Sequence, residues 1–417
     1  MPNNPVDGFT ASEYDNAAGR SNHTTDTCAK CMKILMITTS YPRDESDSSG
    51  IFIKRLALAL TRCGGRITVL APGDKEARDR ETADGIEIVR FRYAPRGMMR
   101  IAYGDGGIYE NIKRFPWLVL LMPLFLLSMC ISAIRLAPDC DIIHANWLPT
   151  GLCAVPAKFI RRRPLIVTAL GSDFGRGAGI FLFLLTRTAD AITTINEKWA
   201  ESLKKETGCS VFYTPNGVEV SKDTINPRER FGIACGEILV LYVGALRHVK
   251  GADILSEVAC IVGRKDKSVR FLVIGPGNPS EFGLSGLTNV TLAGRLPPTE
   301  VLALIPGCDI FVLPSRHEGR PNALLEAMAA GVPSVATRLP GVVEVLTGKC
   351  GIIVDTENPA EMADAVCLLA KDPEKRRMMG RNARSRISEL SLDWESSAKN
   401  YLEIFRRFTR ETQRTRR

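Results

Sequence analysis

No repeat of fixed period runs through the 417 residues, and no part of the body is of low complexity. Solenoid and fibrous architectures are therefore excluded. A disulfide framework is lacking too. The 12 cysteines are scattered and mostly lie inside apolar runs, as at Cys130, Cys153, Cys235, Cys260 and Cys367, a pattern that fits a reducing, cytoplasmic compartment. Cys28 and Cys31 form a C-x-x-C with no second pair, which leaves zinc and redox roles unsupported. Residues 1–31 are polar and have no apolar h-region, so they are no secretory signal. They are expected to be a disordered extension, or sequence upstream of a start at Met32. A dinucleotide turn is missing as well. Gly275-Pro276-Gly277 follows a strand-like run without the third glycine or a well-placed acidic residue, which argues against a dinucleotide-dependent oxidoreductase. No basic patch is interleaved with aromatics, so nucleic acid is not expected as a partner.

What is present points to a soluble two-domain protein. The length exceeds what one core usually serves, and 45% hydrophobic with 24% charged residues is ordinary for a globular chain. A net charge of +9 favours anionic partners. Much of the excess sits in Arg406, Arg407, Arg410, Arg414, Arg416 and Arg417 and in Arg161-Arg162-Arg163; a solvated tail and loop or attraction to a membrane surface would each account for it. Between Lys113-Arg114 and Arg135, the run Phe115–Ile134 carries no charge and is about long enough to span a bilayer. Spanning would put the strand-like runs before and after it on opposite sides of the membrane, where they could not share a sheet. Pro116 and Pro123 also interrupt a single helix. The run is therefore expected to be buried or to lie at a membrane surface.

Short apolar runs alternate with helical patterns along the chain. The first series is Lys33–Ser40, Arg66–Pro72, Ile86–Arg92, Asp141–Trp147, Pro164–Leu170, Ala191–Asn196 and Val211–Asn216. The second is Ile238–Gly244, Arg270–Gly277, Asn289–Gly294, Asp309–Ser315, Pro333–Thr337 and Cys350–Val354. Continuous apolar strands separated by helices predict parallel sheets covered on both faces, and two such series predict two doubly wound domains. Pro215-Asn216-Gly217-Val218 is a turn between them. The expected division is 1–31, a disordered extension; 32–218, a first Rossmann-like domain; 219–392, a second; and 393–417, a helix packing back on the first domain with a basic tail. Ligands of open α/β sheets bind beyond the carboxyl ends of the strands, which here face a central cleft.

The most informative segment is Ser315 to Pro333, SRHEGRPNALLEAMAAGVP. It follows one strand and opens a helix at about Pro321, whose free N–H groups make an anion site. Gly319 lets backbone approach a ligand closely. Glu318 in the loop and Glu326 in the helix can accept hydrogen bonds from hydroxyls at different ends of an elongated ligand. Acidic residues early in a helix also suit its dipole with no ligand at all. A second loop, Gly244-Ala-Leu-Arg-His-Val-Lys-Gly251, offers Arg247 and Lys250 as a cationic pair for a diphosphate, at roughly 1.5–3 kcal/mol per charge-assisted bond.

Together these segments resemble glycosyltransferase family 4, the retaining enzymes of the GT-B fold. Glu318 to Pro333 resembles its E-x(7)-E element, and Gly244, Leu246, Lys250 and Gly251 its G-R-L-x-x-x-K-G loop, with Ala245 in place of the arginine. The likeness extends over nearly the whole chain after Met32. The first strand, Tyr41-Pro42 and Gly50 resemble the first β–loop–α unit. Asp141 to Trp147 resembles the D-x-x-H-x-H strand, with Asn146 at the second histidine. Thr168 to Asp173 resembles T-x-H-G-x-D, with Leu170 at the histidine. Pro215 to Val218 matches the P-N-G-V turn, and Pro340 to Glu344 resembles an element that holds donor phosphates or sugar.

The resemblance implies an α/β protein of two Rossmann-like parallel-sheet domains that moves a hexosyl group from a nucleotide-diphosphate sugar, UDP- or GDP-linked, with retention. The implied acceptor is a glycan or a lipid-linked acceptor of cell-surface polysaccharide or lipopolysaccharide biosynthesis. Glu318 would bind the sugar near the reaction centre, Glu326 the ribose, and Arg247 and Lys250 the departing diphosphate. Gly50, Gly244, Gly319, Arg320, Pro321, Asn322, Ala323 and Glu344 would complete the donor site. His144 is a candidate in catalysis, or alternatively a satisfied structural histidine, and Asp173 and Asn146 are candidates to orient donor or acceptor. No metal or other cofactor is expected: Asp139-Cys140-Asp141 spells D-x-D but precedes its strand. Peripheral contact with an anionic membrane, at the cytoplasmic face of the inner membrane, is an expectation from Phe115–Ile134 and the basic surface. The competing readings are a catalytically silent membrane-associated scaffold and a nucleotide-sugar epimerase or phosphorylase on the same fold.

Overall fold

The first sheet is assembled from β1 (Lys33–Ile37), β2 (Arg66–Pro72), β3 (Arg80–Ala83), β4 (Ile86–Phe91), β5 (Ile142–Asn146), β6 (Leu165–Ala169), β7 (Ala191–Thr194) and β8 (Val211–Tyr213). The second holds β9 (Ile238–Val243), β10 (Val269–Ile274), β11 (Val290–Gly294), β12 (Ile310–Leu313), β13 (Ser334–Thr337) and β14 (Gly351–Val354). This computed structural model describes residues 31–45, 47–103, 107–170 and 178–414. Each apolar run expected to be a strand contains one. β3 was not anticipated, because Arg-Glu-Thr-Ala has no apolar face; it pairs antiparallel with β4 at the sheet edge, helped by a cross-strand Arg80–Glu87 ion pair.

The strands are apolar on both sides because each sheet is covered on both. In β1, Leu35 and Ile37 enter one core while Ile34 and Met36 enter another. In β9, Leu239 and Leu241 are divided from Val240 and Tyr242 in the same way. The pairing orders are β3-β4-β2-β1-β5-β6-β7-β8 and β11-β10-β9-β12-β13-β14. Both reverse direction beside their first strand, so crevices open at the carboxyl ends of β1 and β5 in one sheet and of β9 and β12 in the other. The loops beyond β9 and β12 are the two motif loops.

The last helix, Trp394–Arg414, returns to the first sheet. Tyr401, Phe405 and Phe408 pack with Ile34, Met36, Ile142 and Ile166 and with the helix Ile51–Arg62, each aromatic contributing about 1.5–3 kcal/mol by burial. The chain enters this helix over the Pro215–Val218 turn, where the Val218 amide donates to the Leu392 carbonyl at 2.9 Å. A Cβ on Gly217 would stand 2.3 Å from the Trp394 nitrogen, so only glycine lets the two segments cross.

Phe115–Ile134 is not one continuous helix. A 3-10 turn, Pro116–Leu121, leads into the helix Met122–Leu136, with a proline at the start of each. Leu118, Phe125, Met129 and Ala133 are buried against the first sheet. Since β1 pairs with both β2 and β5, the strands before and after this run lie in one sheet, which spanning would forbid.

Candidate active site

The loop after β9 is folded by its own backbone. Arg247 starts a turn, His248–Lys250, and its carbonyl accepts from the amides of Lys250 and Ala252 at 3.0 and 3.3 Å. Gly251 follows at φ 69°, and a Cβ there would meet the Pro314 carbonyl oxygen at 2.0 Å, so this glycine presses the loop onto the end of β12. Gly244 lies against the Tyr242 hydroxyl, which donates to the Ala245 carbonyl at 3.1 Å. Arg316 then ties the two motif loops together. Its guanidinium donates to both carboxylate oxygens of Asp253 at 2.7 Å and to the His248 carbonyl at 2.6 Å, and it also pairs with Glu357. Through this fork Arg316 holds the Asp253 carboxyl below the usual range.

These tethers bring Lys250 and Glu318 together. Lys250 Nζ lies 2.8 and 3.0 Å from the two Glu318 oxygens, and Ser315 Oγ donates to Oε1 at 2.8 Å. Both line a pocket of about 200 Å³ with Tyr242, Ser315, Arg320 and Asn322. Pro321 precedes the helix, which runs Asn322–Ala330 and so begins one residue later than expected. Asn322 and Ala323, the first residues of this helix, are at the pocket wall, and the first amides of a helix have no partner within it. Arg320 is buried and reaches the opposite half of the molecule, donating from Nη1 to the Ile195 carbonyl at 3.1 Å and to the Tyr213 hydroxyl at 2.7 Å. Its Nε and Nη2, and Asn322 Oδ1, are enclosed with no hydrogen bond within the protein.

Two further candidates join from the flanks. Gly341 sits on Gly319, where a Cβ would come within 2.2 Å of the carbonyl oxygen. This brings Glu344 near Arg320; burial pushes its carboxyl above the ordinary range while Arg320 and Lys198 pull it down. Glu326 faces the first half, where Arg55 Nη1 lies 2.7 Å from its Oε1 and Arg55 Nε 3.0 Å from Glu219. Burial again outweighs the cation, and the Glu326 carboxyl titrates above its usual range. Gly50, at φ 70°, caps the helix that carries Arg55.

His144 is a correction to the sequence reading. It is fully buried, 5.0 Å from the Tyr401 ring and 5.3 Å from Phe405 of the last helix, with Nε2 2.7 Å from Thr168 Oγ1. It packs in the core beneath that helix and exposes no surface to the pocket that holds Lys250 and Glu318. The D-x-x-H pattern locates the strand but not which layer covers its face. Asn146 is buried at the end of the same strand, its amide 3.5 Å from the Ile37 carbonyl. Asp173 lies outside the described residues. Sequence reasoning missed Arg55, Arg316 and Tyr213; Arg316 stands inside the quoted motif, but its partner Asp253 is far away in sequence, and no local signal marks Arg55.

A stability experiment separates the two roles of His144. Burial pushes the ring down from 6.5 to about 3, so the unfolded chain takes up a proton that the folded chain refuses. Stability is therefore expected to fall as pH drops from about 6.5 toward 3. His144→Ala should lower urea stability by about 2–5 kcal/mol through lost packing, remove that pH dependence, and leave turnover unchanged. A fall in turnover at unchanged stability would restore His144 to the site.

The comparisons with known proteins agree with this geometry. Residues 49–217 match the family described as glycosyl transferase 4-like domain, and residues 237–372 match glycosyl transferases group 1. A Bacillus subtilis protein named as a teichuronic acid biosynthesis glycosyltransferase is 26% identical over 358 residues, 80% of this chain and 88% of that protein. Glycogen synthase of Mycobacterium tuberculosis is 24% identical over 403 residues, 90% of this chain and 94% of that one. Among solved structures, sucrose-phosphate synthase from Thermosynechococcus elongatus superposes with a TM-score of 0.71 at 21% identity, covering 90% of this chain and 98% of its own. Anabaena Alr3699/HepE, crystallised with UDP and glucose, gives 0.67 at 19% identity, covering 89% and 99%. With one family match on each side of the cleft and both sheets in place, the chain belongs to the group 1 glycosyltransferases of family 4 type and has the GT-B fold.

Proposed function

We propose that the protein transfers a hexosyl group from a nucleotide-diphosphate sugar, with retention at the anomeric carbon, to a glycan or lipid-linked acceptor in the assembly of cell-surface polysaccharide. The observation that carries this reading is the Lys250–Glu318 pair on the wall of a pocket that also takes in the first turn of the helix Asn322–Ala330. In the proposed reaction the diphosphate leaves with the negative charge, and Lys250, Arg247 and the first-turn amides stabilise it where it develops. Glu318 takes hydrogen bonds from sugar hydroxyls and is held in place by its contacts with Lys250 and Ser315. The enclosed, unbonded nitrogens of Arg320 and the oxygen of Asn322 are donors and acceptors for a hydroxyl-rich ring. Glu326 accepts from the ribose once Arg55 gives way. With these cations in place no divalent ion is required. UDP heads the donor list because the Anabaena neighbour was crystallised with it. The cysteines of the described residues are all free thiols, which supports action in the cytoplasm.

A thermal-shift and donor-hydrolysis panel of UDP-, GDP- and ADP-sugars, with and without EDTA, tests the reading. Stabilisation by one nucleotide class, with slow hydrolysis of that donor and no effect of EDTA, is the expected result. Loss of both with EDTA would overturn metal independence. If no nucleotide sugar stabilised the protein, the silent scaffold would become the better account. Once an acceptor is found, the anomeric configuration of the product decides retention.

A further inference from the structure

We propose that the outer face of the first domain is a docking surface for an anionic bilayer, built by three helices that lie on the membrane without crossing it. Met122–Leu136 packs on Leu148–Arg161, which packs on Ala178–Thr188. All three send side chains into the same core layer of the first sheet, through Phe125, Met129, Ala154, Ala157 and Leu185. Their opposite sides therefore form one continuous outer face. That face is apolar where a soluble surface would be polar: Leu120 is 78% exposed, Leu127 56%, Phe159 61%, Ile180 61% and Phe183 51%. Single exposed leucines are ordinary, but a contiguous set on neighbouring helices marks an interaction surface.

The charge around the patch selects the occupant. Lys113, Arg114, Arg135, Arg161, Arg162 and Arg187 surround it and are exposed, whereas from residue 142 to residue 170 there is no acidic side chain. Arg187 lies 3.6 Å from the Phe183 ring centroid and Arg114 5.4 Å from that of Phe115, so cation and apolar ring are presented side by side. Leucine and aromatic side chains bordered by arginine and lysine fit the boundary between acyl chains and anionic headgroups. A second copy of this face would bring no acidic group on these three helices to meet the arginines, since Met122–Leu136, Leu148–Arg161 and Ala178–Thr188 carry none. The helix Ala178–Thr188 follows β6, whose carboxyl end faces the cleft. A lipid-borne acceptor gathered at this face would thus be held on the domain that borders the cleft.

Vesicle flotation of the full chain tests this directly, with phosphatidylcholine alone and mixed with phosphatidylglycerol. Binding is expected to the mixed vesicles at low salt, weakening as salt rises. Leu127→Asp with Phe183→Asp should reduce the partition by about tenfold or more for each side chain withdrawn from the bilayer. Arg161→Gln with Arg162→Gln should reduce it roughly 25-fold, at about fivefold per basic residue. In both variants the thermal midpoint and soluble donor hydrolysis should match wild type, since none of these residues lines the pocket. Failure of the wild type to bind anionic vesicles at low salt would overturn the proposal. So would dimerisation in sedimentation equilibrium that Leu127→Asp with Phe183→Asp abolishes, which would assign the face to a second copy. Resistance of the membrane-bound protein to alkaline carbonate would overturn the peripheral arrangement.

Discussion

Lys250→Ala should lower kcat by about a hundred- to a thousandfold, the range seen when one preorganised charge partner of a transition state is removed. The side chain has two consequences in the structure. It lies within 3.0 Å of both Glu318 oxygens, and it lines the pocket from the loop that also carries Arg247. If Lys250 merely fixed Glu318, then Lys250→Ala and Glu318→Gln would be fully redundant, and the double variant would be no worse than either single one. If it also stabilises the departing diphosphate, a further loss should appear in the double variant. A double-mutant cycle on kcat and kcat/KM separates the two. Lys250→Arg is not expected to rescue, because a planar fork cannot occupy the place of a compact ammonium between Ser315 and the loop. An alanine variant with near wild-type turnover would remove Lys250 from the chemistry and with it the reading of the pocket as the donor site.

The parallel sheets were legible because burial on both faces leaves a continuous apolar run that needs no partner to be recognised. The motif loops were legible because their spacing is local: Glu318 to Glu326 and Gly244 to Gly251 are each set by one turn and one helix start. Contacts between elements distant in sequence were not. Arg320 reaches Ile195 and Tyr213 across the cleft, and no periodicity announces a partner so far away. His144 shows the same limit in reverse. Its strand was recognised, but the layer that covers it comes from Tyr401 and Phe405 at the far end of the chain, and that turns a residue suited to acid–base work into a packed one. β3 escaped because a sheet edge can be polar, so pairing there leaves no apolar trace.

Glu326→Ala is expected to raise the donor KM by about 10- to 100-fold with a smaller effect on kcat, because a ribose contact of roughly 1.5–3 kcal/mol is the same in the ground state and the transition state. The Arg55–Glu326 pair makes a rival explanation testable. The carboxylate is held at 2.7 Å by an arginine of the opposite half, so its loss could weaken donor binding simply by loosening the cleft. Arg55→Met removes that tether and leaves Glu326 free for the ribose. The ribose role fails if Arg55→Met raises KM as much as Glu326→Ala does, and it stands if Arg55→Met leaves KM unchanged or lowers it. The pH dependence supplies an independent reading. Burial holds the Glu326 carboxyl above its ordinary 4.5, so on acidification the folded protein protonates it earlier than a solvated carboxylate, and one lone-pair acceptor for the ribose is lost. KM should therefore rise on the acid side at a higher pH than a surface carboxylate would give. Glu326→Gln, which keeps an acceptor oxygen but cannot titrate, should flatten that limb. An acid limb that persists unchanged in Glu326→Gln would assign the titration to another group, with Glu344, also pushed upward by burial, the next to replace.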